Sequence, residues 1–294
     1  MALPLLALAL WAATPAKLED AVNPPPTLHP LIPGTEERIT RVAARTEWSI
    51  VALHGFSATR QETAPLAELV AAALQANLFE ARLSGHGHAE YPMDGVKAEH
   101  WLADAQRALQ LGAELGDKII VIGTSTGATL ATVMLDQAMA EHIDTLVMIS
   151  PNFSPRGSGA RWLTRPLGPL LVRLVIGEQR CWETPNDLQR KYWSTCYPIA
   201  TLVEVMRLVD RANRMLPAAI EQRLLMFYAR DDKVISTEAA LAVFDGTVSP
   251  DKEAIEIAAP GDPSHHVLAG DILSPETTQD IADAIVSFVR RPAP

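Results

Sequence analysis

Cysteine is nearly absent. Cys181 and Cys196 are the only two, which excludes a disulfide-dense scaffold, and neither their number nor their spacing makes a zinc site or a CxxC redox motif. Two free thiols are the expectation in a reducing compartment; in an exported protein a single bridge would close the segment between them. Positive charge is also in deficit. Against 35 Asp and Glu stand 25 Lys and Arg, a formal charge of −10, which disfavours nucleic acid or an anionic membrane as the main partner. A neutral or cationic small molecule remains as a partner. Long apolar runs are missing too: Met1 to Ala16 is apolar and ends in small residues like the core of an export signal. It lacks a positive start and falls short of the ~20 residues of a spanning helix. Export or anchoring and a loosely packed extension are equally open for it, and membrane contact is expected only there. The Asn23-Pro24-Pro25-Pro26 run after it reads as an extended linker, because successive prolines forbid a helix.

What is present fits one large domain, or a domain with an insertion: 294 residues, 48% hydrophobic and 20% charged. That is ample for a substantial core and argues against global disorder. No internal repeat or low-complexity tract interrupts it. From Trp48 onward, short apolar runs alternate with longer helical patterns, the signature of a parallel sheet covered by helices. The runs are Ser49 to Leu53, Asn77 to Leu83, Lys118 to Ile122, Thr145 to Ile149, Leu224 to Tyr228 and Ala254 to Ile257. Several are nearly continuous in Val, Ile and Leu, as strands buried on both faces must be. Helical patterns occupy Leu66 to Leu74, His100 to Leu111, Ala128 to Ala138 and Thr278 to Val289. Pro151 to about Ile220 breaks the alternation, with no clear strand and with Trp162, Trp182, Trp193, Tyr192 and Tyr197. It reads as an inserted helical cap. The expected division is an N-terminal apolar segment and linker (1–47), a core (48–150 and 221–294) and the cap (151–220).

The central chemical signal is Gly123-Thr124-Ser125-Thr126-Gly127, placed between the apolar run Lys118 to Ile122 and an apolar helix. A serine on that sharp turn is pushed out at the carboxyl edge of the sheet, and small flanking glycines let strand and helix approach. The Thr126 backbone N–H then sits at a helix N-terminus, where unpaired donors and the helix dipole can stabilise a developing oxyanion. A phosphate-binding loop is a poor alternative, since no Lys follows the second glycine.

Three further segments join this one in a resemblance to the α/β-hydrolase superfamily. Leu53-His54-Gly55-Phe56 is similar to the His-Gly that follows an early strand there, in the branch with one bulky residue after His-Gly rather than His-Gly-Gly-Gly. The resemblance makes the Phe56 N–H the second oxyanion-hole donor and His54 a structural residue. Ser84-Gly85-His86-Gly87-His88 is similar to the family's Gly-His-Gly loop; no acid or Cys at ligand spacing supports a metal site on His86 and His88. Ala229-Arg230-Asp231-Asp232-Lys233-Val234 resembles Gly-x-x-Asp-x-Val with Ala229 for Gly, a register that selects Asp232 over Asp231. His265-His266-Val267 resembles the late loop in which Val follows His, and selects His266 over His265.

The resemblance implies an α/β-hydrolase fold, a mostly parallel central sheet flanked by helices with the inserted cap, and the triad order Ser125, Asp232, His266. A histidine with its ordinary pKa of about 6.5 suits the transfer of the serine proton to the leaving alcohol. The implied activity is hydrolysis of carboxylic esters, as by a carboxylesterase or monoacylglycerol lipase, with short to medium acyl chains and no metal, nucleotide or organic cofactor. Acyl transfer to another alcohol uses the same triad, and a non-catalytic binding protein can share the fold. Dehalogenation is disfavoured because the elbow carries Ser125 where Asp would be needed.

Overall fold

The structure, a computed structural model, describes residues 29–90, 92–136, 138–157, 163–165, 167–215 and 220–292. The apolar segment Met1 to Ala16, the proline run and Trp162 lie outside the described residues. In chain order the first half comprises β1 (Arg38–Thr40), β2 (Thr46–Leu53), α1 (Leu66–Leu74), β3 (Asn77–Glu80), α2 (Ala98–Leu115), β4 (Gly116–Thr124), α3 (Thr126–Met134) and β5 (Ile143–Ile149). A second group follows: α4 (Gly168–Ile176), β6 (Gln179–Cys181), α5 (Asp187–Tyr192), β7 (Cys196–Pro198) and α6 (Ile199–Met215). The chain then completes the sheet with β8 (Arg223–Tyr228), α7 (Thr237–Gly246), β9 (Lys252–Glu256) and α8 (Pro275–Arg290).

Seven strands form one sheet in the order β1-β3-β2-β4-β5-β8-β9. All neighbours are parallel except β1, which runs antiparallel on β3. Side chains alternate between the faces of a strand, and here both faces are dry. Val51, Leu53, Val121, Leu146, Met148 and Met226 enter the layer under α2, α3 and α6. Their neighbours Ile50, Ile120, Ile122, Val147, Ile149 and Phe227 enter the layer under α1 and α8. This is why the strands read as continuous apolar runs, and each fully buried side chain of this size contributes about 1.5–3 kcal/mol. The covering helices are amphipathic by the same logic: α8 opens on Pro275, whose missing N–H costs nothing at that position, and buries Ile281, Ile285, Phe288 and Val289.

Three sequence expectations change. The sheet begins at Arg38 inside the segment expected to be linker, and Thr35 just before it is buried with its hydroxyl on the Gly87 carbonyl at 3.0 Å. A three-residue antiparallel edge strand with one apolar residue gives no periodic signal. The stretch expected to lack strands contains the β6–β7 ladder, in which Cys181 stands opposite Cys196. That register brings the two sulfurs together, and they form a disulfide rather than two free thiols. Among the described residues no helix is long and apolar enough to cross a membrane.

Candidate active site

Chemistry collects where the parallel strands end. β4 runs out at Thr124 and α3 starts at Thr126, so Ser125 alone makes the turn, at φ 51° and ψ −114°. A left-handed φ is costly for a residue with a Cβ and persists only where the surroundings enforce it. They do so here through close packing. A Cβ on Gly123 would lie 2.7 Å from Ala128 Cα, and one on Gly127 would collide with the Leu53 carbonyl. Only glycine at both positions lets α3 press against the ends of β2 and β4. The Ser125 N–H donates to the Ile149 carbonyl at 2.8 Å, and the Ser125 carbonyl accepts from Asn152 N at 3.3 Å. The elbow is thus pinned to the end of β5.

His266 is anchored to that same strand end. Ser150, directly after β5, donates its N–H to Phe227 at 2.9 Å and its hydroxyl to the His266 carbonyl at 2.8 Å. Asp232, in the loop after β8, is 1% exposed and takes His266 Nδ1 on Oδ2 at 2.7 Å. Its Oδ1 accepts from the N–H groups of Val234 and Ile235 at 2.7 and 3.0 Å. With Asp232 holding Nδ1–H, Nε2 is the ring nitrogen left to accept a proton. Burial disfavours the imidazolium, but Asp232 and the nearby carboxylates Glu62 and Asp262 outweigh it and raise the His266 pKa above its ordinary value. Ser125 and His266 thus share the carboxyl edge around β5, although no hydrogen bond joins their side chains among the described residues.

The loop after β2 leaves the Phe56 N–H without a protein acceptor among the described hydrogen bonds. Gly55 N–H donates to Glu62 Oε2 at 2.6 Å, Ser57 N–H to His86 Nε2 at 3.1 Å, and Ala58 N–H to the Gly55 carbonyl at 3.3 Å. His54 Nδ1 donates to the same Gly55 carbonyl at 2.8 Å while its Nε2 accepts from Leu83 N at 3.1 Å. A peptide N–H points opposite its own carbonyl, so fixing the Gly55 oxygen fixes the direction of the Phe56 N–H. Among the described hydrogen bonds, neither Phe56 N–H nor Thr126 N–H has a protein acceptor. Burial drives His54 down to about 4 and His86 well below its ordinary value, so both rings stay neutral and both serve the backbone. His88 likewise gives Nδ1 to the His29 carbonyl at 3.1 Å.

The neighbours of the chosen residues lie elsewhere. Asp231 is exposed, and His265 is half-buried at φ 55° without a bond to Asp232. One organising residue carries no motif of the family: Asp262 Oδ2 accepts the N–H groups of His266 and Val267 at 3.0 and 2.9 Å, shaping the turn that presents the imidazole. Its only sequence signal is an Asp two residues before Ser264, an Asx-turn pattern. The segment between β5 and β8 reaches the same place. Ser194 N–H donates to the Ser57 carbonyl at 2.7 Å, the Tyr197 ring meets Phe56 at 4.9 Å between centroids, and Trp193 packs with Val267 and Ala58.

A seven-stranded, mostly parallel sheet with a serine elbow and a His–Asp pair at its carboxyl edge is the α/β-hydrolase arrangement. Solved structures share this fold. One of the metagenome-derived lipolytic enzymes LipS and LipT superposes with a TM-score of 0.71 at 20% identity, covering 89% of this chain and 99% of its own. The monoacylglycerol lipase of Paleococcus ferrophilus gives 0.62 at 14% identity, with 86% and 97% covered. The monoglyceride lipase of Saccharomyces cerevisiae, solved with a substrate analogue, gives 0.60 at 11% identity, with 86% and 91% covered. Comparison with curated proteins gives no match. The chain belongs to the Hydrolase_4 family, described as serine aminopeptidase, S33, which it matches over residues 44–259. That match stops short of His266, whose place rests on the geometry.

Proposed function

We propose that this protein hydrolyses carboxylic esters through an acyl-enzyme on Ser125. The observation that carries the reading is the His266–Asp232 bond at 2.7 Å on the same sheet edge as the left-handed Ser125 elbow. Ser125 Oγ attacks the ester carbonyl carbon while His266 Nε2 takes its proton; Asp232 holds the tautomer and stabilises the imidazolium. The Phe56 and Thr126 N–H groups receive the oxyanion, an arrangement in which one lost donor costs about 10²–10³ in kcat. Collapse expels the alcohol, which takes the proton from Nε2. Water then attacks the acyl carbon with His266 again as base, and the carboxylic acid leaves with Ser125 restored.

The segment 151–220 is proposed as the cap and the acyl-side wall. Its contacts with Ser57, Phe56 and Val267 support this, as does its departure from the sheet directly after Ser150. Much of its apolar content serves packing instead: Ile199, Leu208, Val209 and Ala212 are all buried. Each methylene that the remaining wall accommodates adds about 0.8 kcal/mol until the pocket ends, so kcat/KM should climb and then level off within short to medium p-nitrophenyl esters.

The family description favours a second substrate class, amides at a chain's amino terminus. Turnover of p-nitrophenyl butyrate, of amino-acid p-nitroanilides, and of the ester with an added acceptor alcohol separates the readings. Ester hydrolysis alone supports the proposal. Faster cleavage of the anilide, or transfer of most acyl groups to the alcohol, overturns it in favour of an aminopeptidase or an acyltransferase.

A further inference from the structure

Glu62 is a buried carboxylate without a place in the reaction so far. It closes the 3-10 turn Arg60–Glu62 that follows the Phe56 loop, and only 3% of it is exposed. Its Oε2 accepts the Gly55 N–H at 2.6 Å, so it grips one side of the residue whose carbonyl His54 and Ala58 grip on the other. Its backbone lies against the segment after His266: a Cβ on Gly270 would come within 2.5 Å of the Glu62 carbonyl oxygen, and Gly270 accordingly sits at φ +109°. Glu62 therefore stands between the loop that carries the Phe56 N–H and the loop that carries the imidazole.

We infer that Glu62 is a positioning residue for the proposed ester hydrolysis, fixing the Phe56 loop through Gly55 and acting on His266 through its charge. This rests on the assignment of Ser125, His266 and Phe56 made above. The groups that bear electrostatically on Glu62 are His266 and Asp262, with Asp232 behind His266. Burial pushes the Glu62 carboxyl up to about 7, the Gly55 N–H and His266 pull it down, and Asp262 adds to the rise. The Glu62 charge raises the His266 pKa, and the His266 charge lowers that of Glu62, so each bears on the other's protonation. A charged Glu62 stabilises the imidazolium and delays the appearance of the neutral base as pH rises.

Two substitutions separate the two actions. Glu62→Gln keeps an acceptor for Gly55 and removes the charge; Glu62→Asp keeps the charge and withdraws it by one methylene from Gly55. Each is measured as a pH profile of kcat and KM on p-nitrophenyl butyrate, with circular dichroism melting as the check on folding. In the native protein kcat/KM should rise with pH through a midpoint above the ordinary histidine value of about 6.5. Glu62→Gln should move that midpoint down by about 1 pH unit, the shift expected when one charge leaves the neighbourhood of an ionisable group. Glu62→Asp should leave the midpoint in place and lower kcat by about 10- to 100-fold with KM within about twofold, the signature of a misplaced transition-state donor.

A folded Glu62→Gln with the native midpoint, or a folded Glu62→Asp with native kcat, overturns the assignment. If one variant melts below the assay temperature, the other alone decides. Fluorophosphonate labelling runs in parallel on all three proteins. Native protein labelled on Ser125 with unmoved variants means that only Glu62 has been misread, whereas native protein labelled elsewhere overturns the triad and the Glu62 assignment with it.

Discussion

The sheet and helix α4 of the segment inserted between β5 and β8 are built on opposite rules. In the sheet, Ile50, Val51, Val121, Val147 and Phe227 have no exposed surface at all. In α4 of the insertion, Leu170, Leu174 and Val175 are 54%, 74% and 86% exposed. The first region is a close-packed solid whose strand ends are fixed in space, and every residue of the proposed chemistry hangs from one of those ends or from the loop after β9. The inserted segment touches that chemistry at a few points, Ser194, Tyr197 and Trp193, and buries α6 through Ile199, Leu208, Val209 and Ala212, while its α4 leaves apolar surface open. Rigid elements suit bond making, where small misplacements cost orders of magnitude, while the proposed acyl-side wall is asked only to enclose a chain.

The contrast can be broken most forcefully at the elbow. Ser125→Ala removes a hydroxyl that makes no hydrogen bond among the described residues, so the melting temperature should hold within a few degrees while kcat falls by about 10⁶-fold. Steady-state kinetics on p-nitrophenyl butyrate with a melting curve checks both halves, and a destabilised protein would mean that the turn is structural. Next comes the orienting acid. Asp232→Asn should lower kcat by about 10⁴-fold by imposing the wrong imidazole tautomer, with exposed Asp231→Asn near the native rate. Equal effects at the two positions would remove the distinction that the 2.7 Å bond draws.

Smaller effects sharpen the comparison of packing. Phe227→Ala, in the fully buried layer under α8, should cost about 3–5 kcal/mol in urea unfolding. Leu174→Ala, on the open face of α4, should stay within about 0.5 kcal/mol. Comparable losses would show that α4 is packed as the sheet is.

Legibility in the sequence follows the same divide. Strands β2, β4, β5 and β8 announce themselves because burial on both faces demands unbroken Val, Ile and Leu, and the triad candidates stand just past strands or the last loop. Boundaries were softer: α2 extends from Ala98 to Leu115, beyond the stretch His100 to Leu111, and α3 spans Thr126–Met134, two residues earlier than its apolar pattern begins. Helix α7 gave no clear pattern, burying only Thr237 and Ala240. β1, β6 and β7 are three residues each, too short for periodicity. Glu62 and Asp262 were illegible for another reason. A Glu in Thr59-Arg-Gln-Glu62 and an Asp before Pro263 both read as solvated turn residues, and only the tertiary approach of two distant loops buries them beside His266.

Labelling tests the central claim most directly. Native protein and Ser125→Ala are treated with a fluorophosphonate, their intact masses are compared, and the modified peptide is sequenced by tandem mass spectrometry. A single adduct on Ser125, absent from the alanine variant and formed more slowly when excess ester substrate is present during labelling, is the predicted result. An adduct on another serine, or none on an active native protein, would contradict the account.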